Sequence, residues 1–205
     1  MCKWRKNVII DSLDYWFLAI SHNNIGKGNA INNHCSLNMF RLKKTTGDNM
    51  YRIESDLRLR WPVLEEYFHG QKWYEDEEIQ YLVNGTKKPY SLSEVVRMFD
   101  WLNKNGEFFF IEVLKDEDWI PIGDATLLYG QNNDVPITIG DKNYHSKGIG
   151  KKVLNFLIEK AKDQGFDQLI VEIYDYNEVS KKLYQSFGFK LFEKTEDGHK
   201  YRLRL

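Results

Sequence analysis

Residues 141–165, DKNYHSKGIGKKVLNFLIEKAKDQG, run from a glycine-punctuated turn straight into an amphipathic helix. Gly148 and Gly150 remove side chains at two positions, so a ligand can approach the backbone closely there. Ile149, Val153, Phe156, Leu157 and Ala161 recur at helical spacing, which gives the helix one apolar face to bury and an open N-terminus. The first turn of a helix carries about four N–H groups without intrahelical partners, together with a partial positive charge, and both suit an anion. Lys147, Lys151 and Lys152 add to that positive field. Taken alone the stretch has a second reading, because glycines also serve ordinary strand-to-helix turns and lysines commonly just solvate a helix.

The order of elements around this stretch decides between the two. Downstream, QLIVEI (168–173) reads as a buried strand, Asn177 opens a short helix EVSKKLYQSFG, and FKLFEK is a further strand. Upstream, EFFFIEVL from Glu107, then WIPIGDATLLY, then VPITIGD are strand-like runs separated by KDED and GQNND, an antiparallel meander that feeds directly into the glycine turn. Pro136 falls at the start of the last run, where a missing N–H does little harm. Nearer the N-terminus, LRLR (57–60) alternates like a strand, and EDEEIQYLVNG after Trp73 reads as a helix headed by acids that suit the positive end of its dipole. Ser91 and Glu94 form a capping-box pattern, with Val95, Phe99 and Leu102 on one face before Asn105-Gly106 ends the helix.

With these motifs in hand, the chain resembles the Gcn5-related N-acetyltransferase superfamily, most firmly over residues 107–205. That family's acetyl-CoA loop reads Gln or Arg, any two residues, Gly, any residue, Gly or Ala; here it is His145-Ser-Lys-Gly148-Ile-Gly150, with His145 as the departure. The downstream pattern Asn-x-x-Ser, Leu-Tyr, Gly-Phe stands as Asn177, Ser180, Leu183, Tyr184, Gly188 and Phe189. The acidic stretch after Trp73 and the Ser-x-x-Glu helix also look like the branch that acetylates ribosomal-protein N-termini.

The resemblance implies an α+β fold, a mixed and mostly antiparallel sheet flanked by helices. It also implies an acetyl-CoA cosubstrate bound by the strand amides at Ile137 and Ile139, by the turn His145, Lys147, Gly148, Ile149, Gly150 and Lys151, and by Asn177 and Ser180. No metal is required. The implied reaction is direct attack of an amine on the thioester, which needs a neutral amine, a donor to the oxyanion and a proton for the departing sulfur. Tyr184 is the general-acid candidate, its bland alternative being a packed helix aromatic. Glu172, on the strand before Asn177, is the base candidate if desolvation lets it take a proton near neutral pH; otherwise it is a solvated or salt-bridged strand residue. Glu112 and Asp124 are reserve candidates, and a water relay needs no strong base at all. A covalent route is disfavoured because residues 50–205 contain no cysteine.

The acceptor is left open among a small-molecule amine, a peptide N-terminus and an aminoglycoside-like antibiotic. Glu75, Asp76, Glu77 and Glu78 would rim an acidic pocket for a cation, or simply head a helix in solvent. Trp73, Tyr74 and Tyr90 are either pocket lining or core. A non-catalytic acyl-CoA-binding regulatory module is the competing class. A net charge of −1 with no aromatic-basic stripe sets nucleic-acid binding aside.

With 205 residues and 42% hydrophobic content, the chain suffices for one sizeable core. Cys2 and Cys35 do not make a disulfide framework, and a reducing cytoplasm fits them. The apolar run NVIIDSLDYWFLAIS is broken by Asp11 and Asp14, which argues against a signal peptide or a membrane span. Residues 23–49 are rich in Asn and Gly and read as linker. Residues 1–49 are therefore expected to be an extension, with Met50 as an alternative start, and residues 50–205 the acetyltransferase domain. A homodimer is left open.

Overall fold

A computed structural model describes residues 49–130 and 133–205; the extension assigned to residues 1–49, with Cys2 and Cys35, lies outside them except for Asn49. The chain order is β1 (Met50–Glu54), β2 (Leu57–Arg60), a 3-10 segment (Leu64–Gly70), α1 (Gln71–Tyr74), α2 (Glu77–Asn84), α3 (Leu92–Asn105), β3 (Gly106–Lys115), β4 (Asp118–Leu128) and β5 (Ile137–Ile139). There follow α4 (Ile149–Asp163), β6 (Gln168–Tyr174), α5 (Glu178–Ser186), β7 (Lys190–Lys194) and β8 (Gly198–Arg204).

Strands β1 to β5 form one antiparallel sheet in chain order, and β6, β8 and β7 form a second sheet with β8 in the middle. The alternation of the strands sorts side chains onto two faces. One face, with Leu57, Leu59, Phe109, Ile111, Ala125 and Leu127, joins Val153, Leu157 and Ala161 of α4 and Val171 and Ile173 of β6 in the main core. The buried arc of α4 is wider than its sequence pattern suggests: Leu154 and Ile158 are buried as well, while Phe156 is only half-buried.

The opposite face carries Phe108 and Phe110 against Tyr67, Trp73, Tyr74 and Phe99, whose rings meet edge to face or tilted at centroid separations of 4.7 to 5.9 Å. Trp73 and Tyr74 are thus core residues of the α1–α3 layer. Trp73 packs on Gly140 so closely that a β-carbon there would lie 2.1 Å from Trp73 Cγ, so only glycine lets the end of β5 approach α1. α3 begins as its sequence dictates, with Ser91 and Glu94 exchanging capping bonds.

Candidate active site

The two sheets touch at one parallel bridge, Asp134 to Ile170, and beyond it β5 and β6 belong to separate sheets. A gap therefore opens between two parallel strands. Which backbone groups face it follows from the β4–β5 pairing. Asp134 and Pro136 accept from Leu128 and Thr126, and Gly140 donates to Ile122, so even-numbered residues turn their backbone toward β4. Odd-numbered residues turn the other way: the Val135 carbonyl accepts from Tyr184 and the Ile139 carbonyl meets His145. The amides of Ile137 and Ile139 accordingly face the gap, whereas that of Thr138 points to β4.

Past β5 the chain enters the glycine turn. Gly148 is the N-cap of α4 at φ 78°, a left-handed conformation that disfavours any side chain, and the space where its β-carbon would stand is open. The amides of Lys151 and Lys152 close on the Gly148 carbonyl at 3.1 and 3.3 Å. Those of Ile149 and Gly150 have no backbone partner among the described residues and remain at the open helix end. Gly150 lies against α5, 3.4 Å from Leu183 Cδ2 to an added β-carbon.

The side chains of the turn divide. His145 Nε2 sits 2.7 Å from the Ile139 carbonyl, tying the turn to β5 where the family pattern has Gln or Arg. Lys147 lies over the Tyr144 ring at 4.9 Å, and Lys151 is exposed. Lys152, counted in the positive field from sequence, instead pairs with Glu54 of β1 at 2.6 Å.

Asn177 is the N-cap of α5: its carbonyl oxygen accepts from the Ser180 amide at 3.0 Å and its amide donates to the Leu82 carbonyl at 3.1 Å. The carbonyl thus caps α5 while the amide ties its start to the end of α2, and half-buried Ser180 enters that cap through its backbone. Tyr184 is buried, packed edge-on to Phe189 at 5.2 Å, with its hydroxyl donating to the Val135 carbonyl at 2.7 Å. Burial, reinforced by Asp134, pushes its phenol far above the ordinary tyrosine value, so it holds its proton at every working pH. Glu172 is half-buried on β6, directly across from Lys200 of β8.

Of the reserve carboxylates, Glu112 is only 1% exposed and is clamped by Arg58 at 2.6 Å and by Arg60 at 2.7 and 2.8 Å. Both of its oxygens are therefore engaged by guanidiniums. Asp124 differs. It is 4% exposed and accepts from the Tyr74 hydroxyl at 2.9 Å, while the same hydroxyl meets Thr138 Oγ1 of β5 at 3.2 Å. Burial pushes its pKa up to about 7, with the Tyr74 bond pulling the other way. The sequence offers Asp124 only as a lone acid inside an apolar run; its link to Tyr74 and Thr138, 50 and 64 residues apart along the chain from Tyr74, is set by topology.

In the acidic run after Trp73, Asp76 caps α2 by accepting from the Glu78 and Ile79 amides. Lys142, just before the glycine turn, bridges Asp76 at 2.7 Å and Glu78 at 2.8 Å and holds the Asp76 carboxyl below its ordinary value. The run is therefore a cap with two of its charges engaged, and Glu77 and Glu78 border a surface depression with Tyr81 and Lys87. Among the described residues no group of three or more His, Cys, Asp or Glu side chains is placed to hold a metal, and no helix is long and apolar enough to cross a membrane.

A strand gap opening on a glycine-capped helix end defines an acyl-CoA transferase architecture, and the sequence profile of the acetyltransferase (GNAT) family matches residues 70–189. The chain belongs to that family. It is 36% identical over 52 residues to GCN5-related N-acetyltransferase 6, chloroplastic, of Arabidopsis thaliana, a match that covers 25% of this chain and 18% of the relative. Among solved structures, a domain from Methanocaldococcus jannaschii superposes at a TM-score of 0.67 with 21% identity, over 74% of this chain and all of that one. RimL, the ribosomal L7/L12 alpha-N-protein acetyltransferase, solved with coenzyme A, gives a TM-score of 0.61 at 13% identity, over 76% of this chain and 98% of that one.

Proposed function

We propose that residues 50–205 form an acetyl-CoA-dependent N-acetyltransferase that transfers acetyl to a primary amine by direct attack in a ternary complex. The observation that carries the reading is the β5–β6 gap, lined by the Ile137 and Ile139 amides and opening on the Gly148-capped end of α4. The helix end and the turn from His145 to Lys151 hold the pyrophosphate, since Gly148 leaves open space and the first-turn amides point outward. Acetyl-CoA supplies the activated acyl group. The β5 amides are fixed dipoles aimed at the oxyanion that develops on it, and they need no reorganisation to act.

Tyr184 supplies the proton for the departing thiolate. Its raised pKa keeps it protonated, and to donate it exchanges the Val135 carbonyl for the sulfur. Glu172 or a water relay is the proton acceptor in the simplest version of this scheme. For the acceptor, RimL's printed activity and its shared fold favour a protein N-terminus or a small amine. A cationic amine of the polyamine or aminoglycoside type is the alternative acceptor, with Asp76 and Glu78 at α2 already paired to Lys142.

The test is thiol release from acetyl-CoA against a panel holding spermidine, an aminoglycoside and a serine-initiated peptide, with the acetylated product identified by mass. Turnover with at least one amine is expected. Tight acetyl-CoA binding without transfer to any of them turns the reading into a regulatory acyl-CoA module.

A further inference from the structure

We propose that Thr138, Tyr74 and Asp124 form a proton relay that removes the proton from the acceptor's ammonium group before it attacks, an inference that rests on the transferase reading above. The relay starts on β5 itself. Thr138 stands between Ile137 and Ile139, whose amides face the gap, and its hydroxyl reaches Tyr74 of α1 at 3.2 Å. Tyr74 in turn reaches Asp124 at 2.9 Å.

The Tyr74 hydroxyl is placed to donate to both Asp124 and Thr138. Once Asp124 is ionised its carboxylate takes the single Tyr74 hydrogen, and the Tyr74–Thr138 contact turns over to use the Thr138 hydrogen. Thr138 Oγ1 then has lone pairs left to accept from an amine or a bridging water. When the amine's N–H proton moves to Thr138 Oγ1, the Thr138 proton passes to Tyr74 Oη and the Tyr74 proton to Asp124 Oδ2. One N–H bond breaks, one O–H bond forms on the carboxyl, and nitrogen keeps the electron pair with which it attacks. Run in reverse after product leaves, the same chain returns the proton to solvent.

The terminus of the relay is suited to neutral pH. Asp124 faces Tyr74 from α1, Thr138 from β5 and the uncharged Phe110 from β3, with Tyr90 behind Tyr74 at a ring separation of 6.3 Å. No cation is seen beside it among these neighbours, and burial raises its proton affinity to about 7, where it can both take and release a proton.

The experiment measures kcat and kcat/KM from about pH 6 to about pH 9 for the parent and for Asp124→Asn, Tyr74→Phe, Thr138→Val and Thr138→Ser, with thermal unfolding and acetyl-CoA calorimetry as checks. Asp124→Asn and Tyr74→Phe are expected to lose about 100-fold in turnover at neutral pH, a deficit that shrinks as alkaline pH supplies free amine. Thr138→Ser should retain activity that Thr138→Val loses. Unchanged pH profiles in Asp124→Asn and Tyr74→Phe, with acetyl-CoA affinity preserved, overturn the relay while leaving the transferase reading intact. Should those two variants fail to fold, equal activity in the Thr138 pair overturns it instead. A parent that binds acetyl-CoA and acetylates nothing refutes the transferase reading and the relay together.

Discussion

Replacing Asp124 with asparagine should change how stability depends on pH. The carboxyl is buried in the α1–α3 layer, where its pKa stands at about 7 against 3.8 for an ordinary aspartate. The sign follows from proton counting: between those values the folded state binds more protons than the unfolded chain, so stability falls as pH rises, and above about pH 7 the full penalty is present. With about 1.4 kcal/mol per pH unit, the parent should lose roughly 2–3 kcal/mol from this group between about pH 5 and about pH 8. Asparagine keeps an acceptor for Tyr74 but cannot ionise. Its packing cost is common to both pH values and cancels in the difference. Urea unfolding of parent and Asp124→Asn at the two pH values is the assay, and the variant should gain roughly 2–3 kcal/mol relative to the parent at the higher pH. Parallel pH dependence in the two proteins would refute the raised proton affinity and the burial argument behind it.

Tyr184→Phe removes a hydroxyl but keeps the ring on Phe189, and turnover should fall by about 10- to 1000-fold with acetyl-CoA affinity nearly unchanged. Stability should drop by about 1–3 kcal/mol as well, because the buried Val135 carbonyl loses its partner, which chemical unfolding would detect. Glu172→Gln should leave the pH–rate profile in place if protons leave through Asp124, and kinetics across pH would show an altered alkaline limb if they do not. A protein beginning at Met50 should fold and bind CoA as the full chain does; an insoluble or unfolded product would show that residues 1–49 belong to the fold.

The parts of the molecule legible in sequence are those governed by local rules. The α4 periodicity, the Ser91–Glu94 box, the Asn177 cap and the β3–β4–β5 meander each rest on neighbours within a few residues, and the structure forms all of them. β8 went unread. Its sequence GHKYRLR carries four basic side chains, and what makes it a strand is insertion between β6 and β7, a long-range pairing with no local signature. The 3-10 segment before α1 is equally silent, being held by Glu66 pairing with Arg60 at 2.8 Å and by Tyr67 packing on Phe99.

The same distinction runs through the candidate site. The glycine turn is visible because backbone requirements select residue types directly. The roles of its side chains are not: Lys152 answers Glu54, His145 answers Ile139, and Asn177 answers Leu82, three partners that only the folded topology supplies. Tyr74 reads in sequence as either pocket lining or core; it is buried, and its hydroxyl is the link between Asp124 and β5.

Calorimetric titration of acetyl-CoA into the parent and into Gly150→Glu tests the central claim most directly. A glutamate there starts from a β-carbon 3.4 Å from Leu183 of α5 and brings a side chain and a negative charge to the helix end whose Ile149 amide is proposed to receive the pyrophosphate. The account predicts saturable binding by the parent and loss of binding in a variant whose thermal unfolding shows an intact fold. Equal affinity in the two folded proteins would contradict it.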